Sequence, residues 1–131
     1  MAKSKKLTHA EWEIMEAVYK AGKSPSVRQV WEKAYPNKEK AYTTVQTIMN
    51  TLEKKGLLTR KKIGLVNFYT PVYSRIKLIN SEIRHITAQM FNGSVSELAH
   101  YLININDLNI EEIQKIKKII DRKEKELKGE E

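Results

Sequence analysis

The sequence predicts a mainly α fold: three helices closed by a β-hairpin, the winged helix-turn-helix arrangement, followed by a region of three further helices. Three observations predict it. Residues 41–55 separate into an apolar and a polar face at helical period. A short, basic hairpin pattern follows directly after Gly56. Beyond Tyr73, isoleucines recur at spacings of three and four, the rhythm of a helix seam.

The first helix is expected over residues 8–21. Thr8 and Glu11 have the spacing of a capping box, with Leu7 just outside it, and Ile14, Met15 and Val18 form the apolar stripe with Trp12 nearby. Gly22 ends it. Ser26 and Gln29 repeat the capping signal for a second helix, whose apolar face is Val27, Val30, Trp31 and Ala34. Tyr35-Pro36-Asn37 breaks that helix, and Lys38-Glu39-Lys40 leads into the third.

In the third helix a step of about 100° per residue puts Ala41, Val45, Ile48, Met49 and Leu52 on one side. Thr43, Gln46, Thr47, Asn50 and Lys54 fall on the other. Two β-prone runs, residues 57–60 and 66–70, then flank Gly64 and are expected to pair as a wing. Pro71 confines the second strand to an edge.

After Tyr73 the seam is Ile76, Ile79, Ile83, Ile86 and Met90, ended at Gly93. Ser94 and Glu97 cap the next helix, expected to bury Val95, Leu98 and Leu102. Asn109 and Glu112 cap the last, which carries Ile113, Ile116 and Ile120. Residues 122–131 alternate charge and are expected to fray. So short a region buries little apolar area by itself. Its isoleucine face needs a partner, and a second copy of the chain is preferred over packing back on the N-terminal part. The chain is therefore expected to divide into residues 1–73 and residues 74–131.

Charge divides at the same place. Residues 1–73 carry 14 Lys and Arg against 6 Asp and Glu, whereas residues 74–131 carry 10 of each. All the excess positive charge of a +8 chain thus lies with the amphipathic third helix and the hairpin. A basic footprint around a polar helix face suits a polyanion, here double-stranded DNA. Thr43, Gln46, Thr47 and Asn50 are expected to approach base edges. Asn and Gln can address adenine in bidentate fashion and threonine methyls can pack on thymine methyls, so A/T-containing half-sites are expected. Tyr42 and Thr44 stand at the helix start, where either contacts to DNA or local packing and capping would explain them. Lys54, Arg60, Lys61 and Lys62 are expected on phosphates, with one of the three wing cations turned away by strand alternation. Arg28, Lys5 and Lys6 are weaker phosphate candidates.

The same residues carry a family resemblance. The run Leu7-Thr8-His9-Ala10-Glu11-Trp12-Glu13-Ile14-Met15 resembles the opening of the BlaI/MecI/CopY penicillinase-repressor family. Residues 41–49 are similar to its recognition helix, and residues 55–62 with Tyr69-Thr70-Pro71 to its wing. Phe91-Asn92-Gly93-Ser94 and residues 107–113 resemble signatures of its dimerisation region. The likeness spans Leu7 to about Asp121. It implies a homodimeric transcriptional repressor on a palindromic operator over a resistance gene. It is not the copper-responsive branch, because that branch carries a cysteine-rich tail and this chain has no cysteine. In the β-lactam-responsive branch a sensor-protease pathway cuts an Asn-Phe bond in the middle dimerisation helix. The aligned bond here is Tyr101-Leu102, in which both residues are replaced.

Other classes find less support. His9, His85 and His100 are isolated, only Asp107 and Asp121 are aspartates, and no catalytic constellation, phosphate loop or metal spacing occurs. No enzyme activity, cofactor or metal is expected. No apolar run is long enough for a signal peptide or membrane span, and the lack of cysteine fits a reducing cytoplasm. Two alternatives stay open: a winged-helix protein-interaction module, and a ligand-sensing transcription factor with an effector between the dimerisation helices.

Overall fold

The structure, a computed structural model, describes residues 7–105 and 107–130. Lys5 and Lys6 lie outside the described residues. The element order is α1 (His9–Ala21), α2 (Val27–Ala34), α3 (Tyr42–Lys54), β1 (Leu58–Ile63), β2 (Val66–Pro71), α4 (Arg75–Phe91), α5 (Val95–Asn104) and α6 (Ile110–Lys128).

Both predicted capping boxes form. Thr8 Oγ1 accepts the Glu11 N–H while Glu11 Oε1 accepts the Thr8 N–H, and Ser26 and Gln29 do the same at α2. Each pair satisfies donors that a helix start otherwise leaves without partners. The inward stripes of α1–α3 then meet in one core: Ile14 and Val18 from α1, Val30 from α2, and Val45, Met49 and Leu52 from α3 are all essentially inaccessible. Trp12 and Trp31 pack half-buried against this core. Ala41 is an exception to the predicted apolar face. It is the exposed N-cap of α3, so its side chain precedes the helix it was assigned to.

The end of α3 is set by Gly56. Its φ of 83° lets the Gly56 N–H return to Glu53 O and the Leu57 N–H to Leu52 O, a Schellman closure that turns the chain into β1. The hairpin is longer than expected. β1 and β2 pair antiparallel from Leu58↔Pro71 to Ile63↔Val66, so the basic run Arg60-Lys61-Lys62 lies inside the ladder. The reason is the turn: Gly64 (φ 65°) and Leu65 make a two-residue connection, with the left-handed residue first, and pairing can continue up to it. The other edge of β2 is also covered, by a bridge between Phe68 and Ser26 and by the Tyr69 N–H bonded to Pro25 O at 2.9 Å. The wing is thereby tied to the loop before α2.

The chain forms two compact units, meeting at Ile86–Thr87 within α4. The first extends past the change of composition at Tyr73. Leu78 is buried in its core, Arg75 forks Glu16 with two bonds of 2.9 and 3.0 Å, the Tyr19 hydroxyl donates to Tyr73 O, and the Leu7 N–H faces Glu82. The first turns of α4 therefore belong with α1.

In the second unit, Ser94 Oγ and Asn109 Oδ1 accept the N–H groups of Glu97 and Glu112, as their spacing predicts. The Phe91 and Tyr101 rings meet at a tilt of 42°, with centroids 5.5 Å apart. Within one copy Val95 and Leu102 are exposed and Leu98 is half-buried, so this unit does not cover them by itself. One expectation fails. Residues 122–128 do not fray but continue α6, with Lys123–Glu126 and Glu124–Lys128 pairs at helical spacing and a Schellman closure at Gly129.

Candidate nucleic-acid interface

α3 is held by its apolar side and offers its polar side outward. Thr43, Thr44, Gln46, Thr47 and Lys54 are exposed, while Val45, Met49 and Leu52 behind them are sealed. Thr43 and Thr44 do not cap the helix: its N-cap is Ala41 and no side chain bonds there. The first N–H groups of α3 thus remain uncapped by any side chain, on the face that carries the threonines.

Around that helix start, Tyr42 meets the Trp31 ring edge-on at 5.7 Å, and the Arg28 guanidinium lies 5.8 Å from both ring centroids. The Trp31 indole N–H donates to Lys40 O at 2.8 Å, which fixes the loop entering α3. Trp31 is thus engaged in packing. Tyr42 is half-buried and also packs. Arg28 pairs with Glu32 at 3.7 Å, but both side chains are mostly exposed and such a contact is weak.

On the wing, alternation puts Leu58, Arg60 and Lys62 on one face and Lys61 on the other. All three cations are exposed. Their surroundings differ. Arg60 Nε lies 3.6 Å from Glu53 Oε1 of α3, whereas Lys54, Lys61 and Lys62 make no ion pair among the described residues. The tip is apolar, with Ile63, Leu65 and Val66 exposed.

Behind this surface sit contacts that the sequence pattern did not reveal. Tyr69 is buried in β2, and its hydroxyl donates to Asn50 Oδ1 of α3 at 3.0 Å. Burial pushes the Tyr69 phenol up, while the neighbouring Arg60 guanidinium pulls the other way; the net shift is upward, so the group stays protonated and can donate. Asn50 is accordingly half-buried and tied to the wing. A second link joins α3 to α1: Lys55 Nζ donates to Glu11 Oε1 at 2.7 Å, with both side chains largely buried. Burial acts to raise the Glu11 pKa, but the Lys55 bond and charge together with the Thr8 N–H outweigh it, and the carboxyl is held below its ordinary value. For Tyr69 the register of the hairpin is the signal that could have been used, since it stands opposite Arg60 beside α3. No local signal pointed to Glu11–Lys55, which are 44 residues apart.

An exposed polar helix face beside a basic hairpin, both anchored from behind, defines a winged-helix DNA-binding regulator. The chain belongs to the penicillinase repressor family, whose pattern it matches over residues 7–122. This is a family of transcriptional repressors and not of enzymes. Over 121 residues it is 23% identical to the methicillin resistance regulatory protein MecI of Staphylococcus aureus, covering 92% of this chain and 98% of that one. It is 26% identical to the penicillinase repressor of Bacillus licheniformis, covering 92% and 94%. Over 79 residues it is 33% identical to the transcriptional regulator BlaI of Mycobacterium tuberculosis, covering 60% and 57%. The solution structure of the DNA-binding domain of the repressor BlaI superposes with a TM-score of 0.51 and 31% identity, covering 57% of this chain and 90% of that one. No helix among the described residues is long and apolar enough to cross a membrane.

Proposed function

We propose that the chain is a homodimeric, sequence-specific repressor that occupies a palindromic operator and controls a β-lactam-resistance-type or related stress gene. The observation that carries the DNA reading is the division of α3: three residues with no exposure behind, and Thr43, Gln46 and Thr47 exposed in front. Gln46 and Thr47 address base edges, Thr43, Thr44, Tyr42 and Arg28 the backbone beside the helix start, and Lys54, Lys61 and Lys62 the phosphates flanking the groove. Residues 1–73 hold this function, and residues 74–131 hold dimerisation.

Support for the dimer comes from side chains one copy leaves uncovered. On α4, Ile76 and Met90 are each 69% exposed and Ile83 is 48% exposed; on α5, Val95 is 71% exposed and Leu102 53%; on α6, Ile120 is 59% exposed. Ile79, Ile86, Leu98, Ile113 and Ile116 are half-buried beside them. A second copy removes this apolar area from water and presents two reading helices to two half-sites. The regulated gene class is taken from relatives named for methicillin resistance and penicillinase repression.

Tyr101–Leu102 lies inside α5. Proteases take extended segments, so a sensor-protease pathway acting there has to unwind this helix first.

The test is binding to duplex DNA at physiological salt. The genomic fragments that the chain selects most strongly should bind at least about a hundredfold more tightly than random duplex. Equal affinity for both would exclude a sequence-specific repressor and favour the protein-interaction alternative.

A further inference from the structure

The amide of Asn50 is oriented from behind. Its Oδ1 accepts the Tyr69 hydroxyl at 3.0 Å, and among the described residues this is the contact its side chain makes. The phenol is the donor in this bond and an amide oxygen can only accept, so the bond holds the amide with its oxygen inward. Tyr69 is 1% exposed, so the oxygen end rests against the protein interior. Nδ2 has no hydrogen-bond partner among the described residues, and no fully buried side-chain nitrogen or oxygen among them lacks one. Nδ2 is therefore reached by solvent, on the side of α3 that carries Gln46 and Thr47.

An asparagine that selects adenine uses both ends of its amide, donating to N7 and accepting from the N6 amino group. We infer that Asn50 works on the operator as a donor only, through Nδ2, and that Tyr69 is the positioning residue that makes it so. Such a group accepts bases with an acceptor at the groove edge, the N7 and O6 of guanine, the N7 of adenine or the O4 of thymine, and rejects the amino edge of cytosine. It does not demand adenine. The inference rests on the DNA-reading role proposed above, and it replaces the bidentate adenine contact expected for Asn50 from its residue type.

The experiment is selection from a randomised duplex pool with the full-length chain, run in parallel for the native protein, Asn50→Ala and Tyr69→Phe. The base pair whose preference disappears in Asn50→Ala is the one Asn50 contacts. There the native protein should exclude cytosine and enrich guanine or thymine at least as well as adenine. Tyr69→Phe releases Oδ1 and should turn that position toward adenine by about tenfold, leaving other positions unchanged. Native enrichment of adenine above both guanine and thymine at that pair would overturn the inference, because Oδ1 would then be reaching the N6 amino group. So would an unchanged profile in Tyr69→Phe, or an Asn50→Ala profile identical to the native one. If the native protein enriches no sequence, the DNA-reading role itself fails and this inference with it. Should Tyr69→Phe fail to fold, the native and Asn50→Ala profiles alone still decide whether Asn50 demands adenine.

Discussion

Two adjacent lysines at the end of α3 have opposite fates. Lys54 stays exposed on the polar face, while Lys55 turns inward to Glu11. Removing one member of a buried pair leaves the other charge without compensation. Lys55→Met should therefore destabilise the fold by about 3 kcal/mol, at the low end of that effect because Lys55 keeps some solvent contact, as measured by urea denaturation. The lowered Glu11 pKa sets a direction for pH. A carboxyl whose folded pKa lies below its unfolded value of 4.5 contributes stability above that pH and loses it as the pH falls through the folded value. The urea midpoint should drop as the pH goes below about 4.5, and less steeply in Glu11→Gln than in the native chain. On the exposed side, Gln46→Ala should cost roughly 1–3 kcal/mol on the selected operator and relax preference at one base pair. Lys61→Ala should weaken every duplex alike and lower the salt slope by about 1. Fluorescence anisotropy across a salt series separates the two behaviours.

At the scale of the element, each boundary has a local cause, and the causes differ in how visible they are. The α1 and α2 starts were legible because a capping box joins residues three apart. The α3 stop was legible at Gly56, whose φ of 83° an L-residue adopts only with strain. A Cβ there would meet nothing within 4 Å, so Gly56→Ala should cost only the backbone term, about 1 kcal/mol. The hairpin is longer than its β-prone runs: propensity favours Val, Tyr and Phe and ends the first run at Arg60, whereas the turn register keeps Lys61, Lys62 and Ile63 in the ladder. The start of α4 carries apolar residues on two sides, and spacing shows one of them. The three-and-four rhythm picks out Ile76, which one copy leaves exposed, and passes over Leu78, which is buried in the first unit. A chain ending at Tyr73 should therefore be less stable than one ending at Ile86 by about 2 kcal/mol or more, the worth of a buried leucine and its neighbours. Thermal denaturation of the two lengths is the measurement.

The molecule as a whole concentrates positive charge in the part that carries the reading helix and uncovered apolar surface in the part that follows. Sedimentation should show the full chain as a dimer, with Ile120→Asp shifting it toward monomer. A dimer that persisted in residues 1–73 alone would contradict the placing of dimerisation in the C-terminal helices. DNA binding should fall steeply with salt, since each neutralised phosphate releases counterions.

The sequence by itself determined the winged-helix plan, the faces of α1–α3 and the exposed polar set on α3. These follow from periodicity, caps and turns, which act between residues a few positions apart. Only the tertiary structure decided which polar groups are available. Asn50 looked equivalent to Gln46 on the helix face, but Tyr69 reaches it across 19 residues and holds its oxygen. Lys55 looked equivalent to Lys54, but Glu11 holds it across 44. Hydrogen bonds of that range depend on how elements pack. No spacing along the chain encodes them.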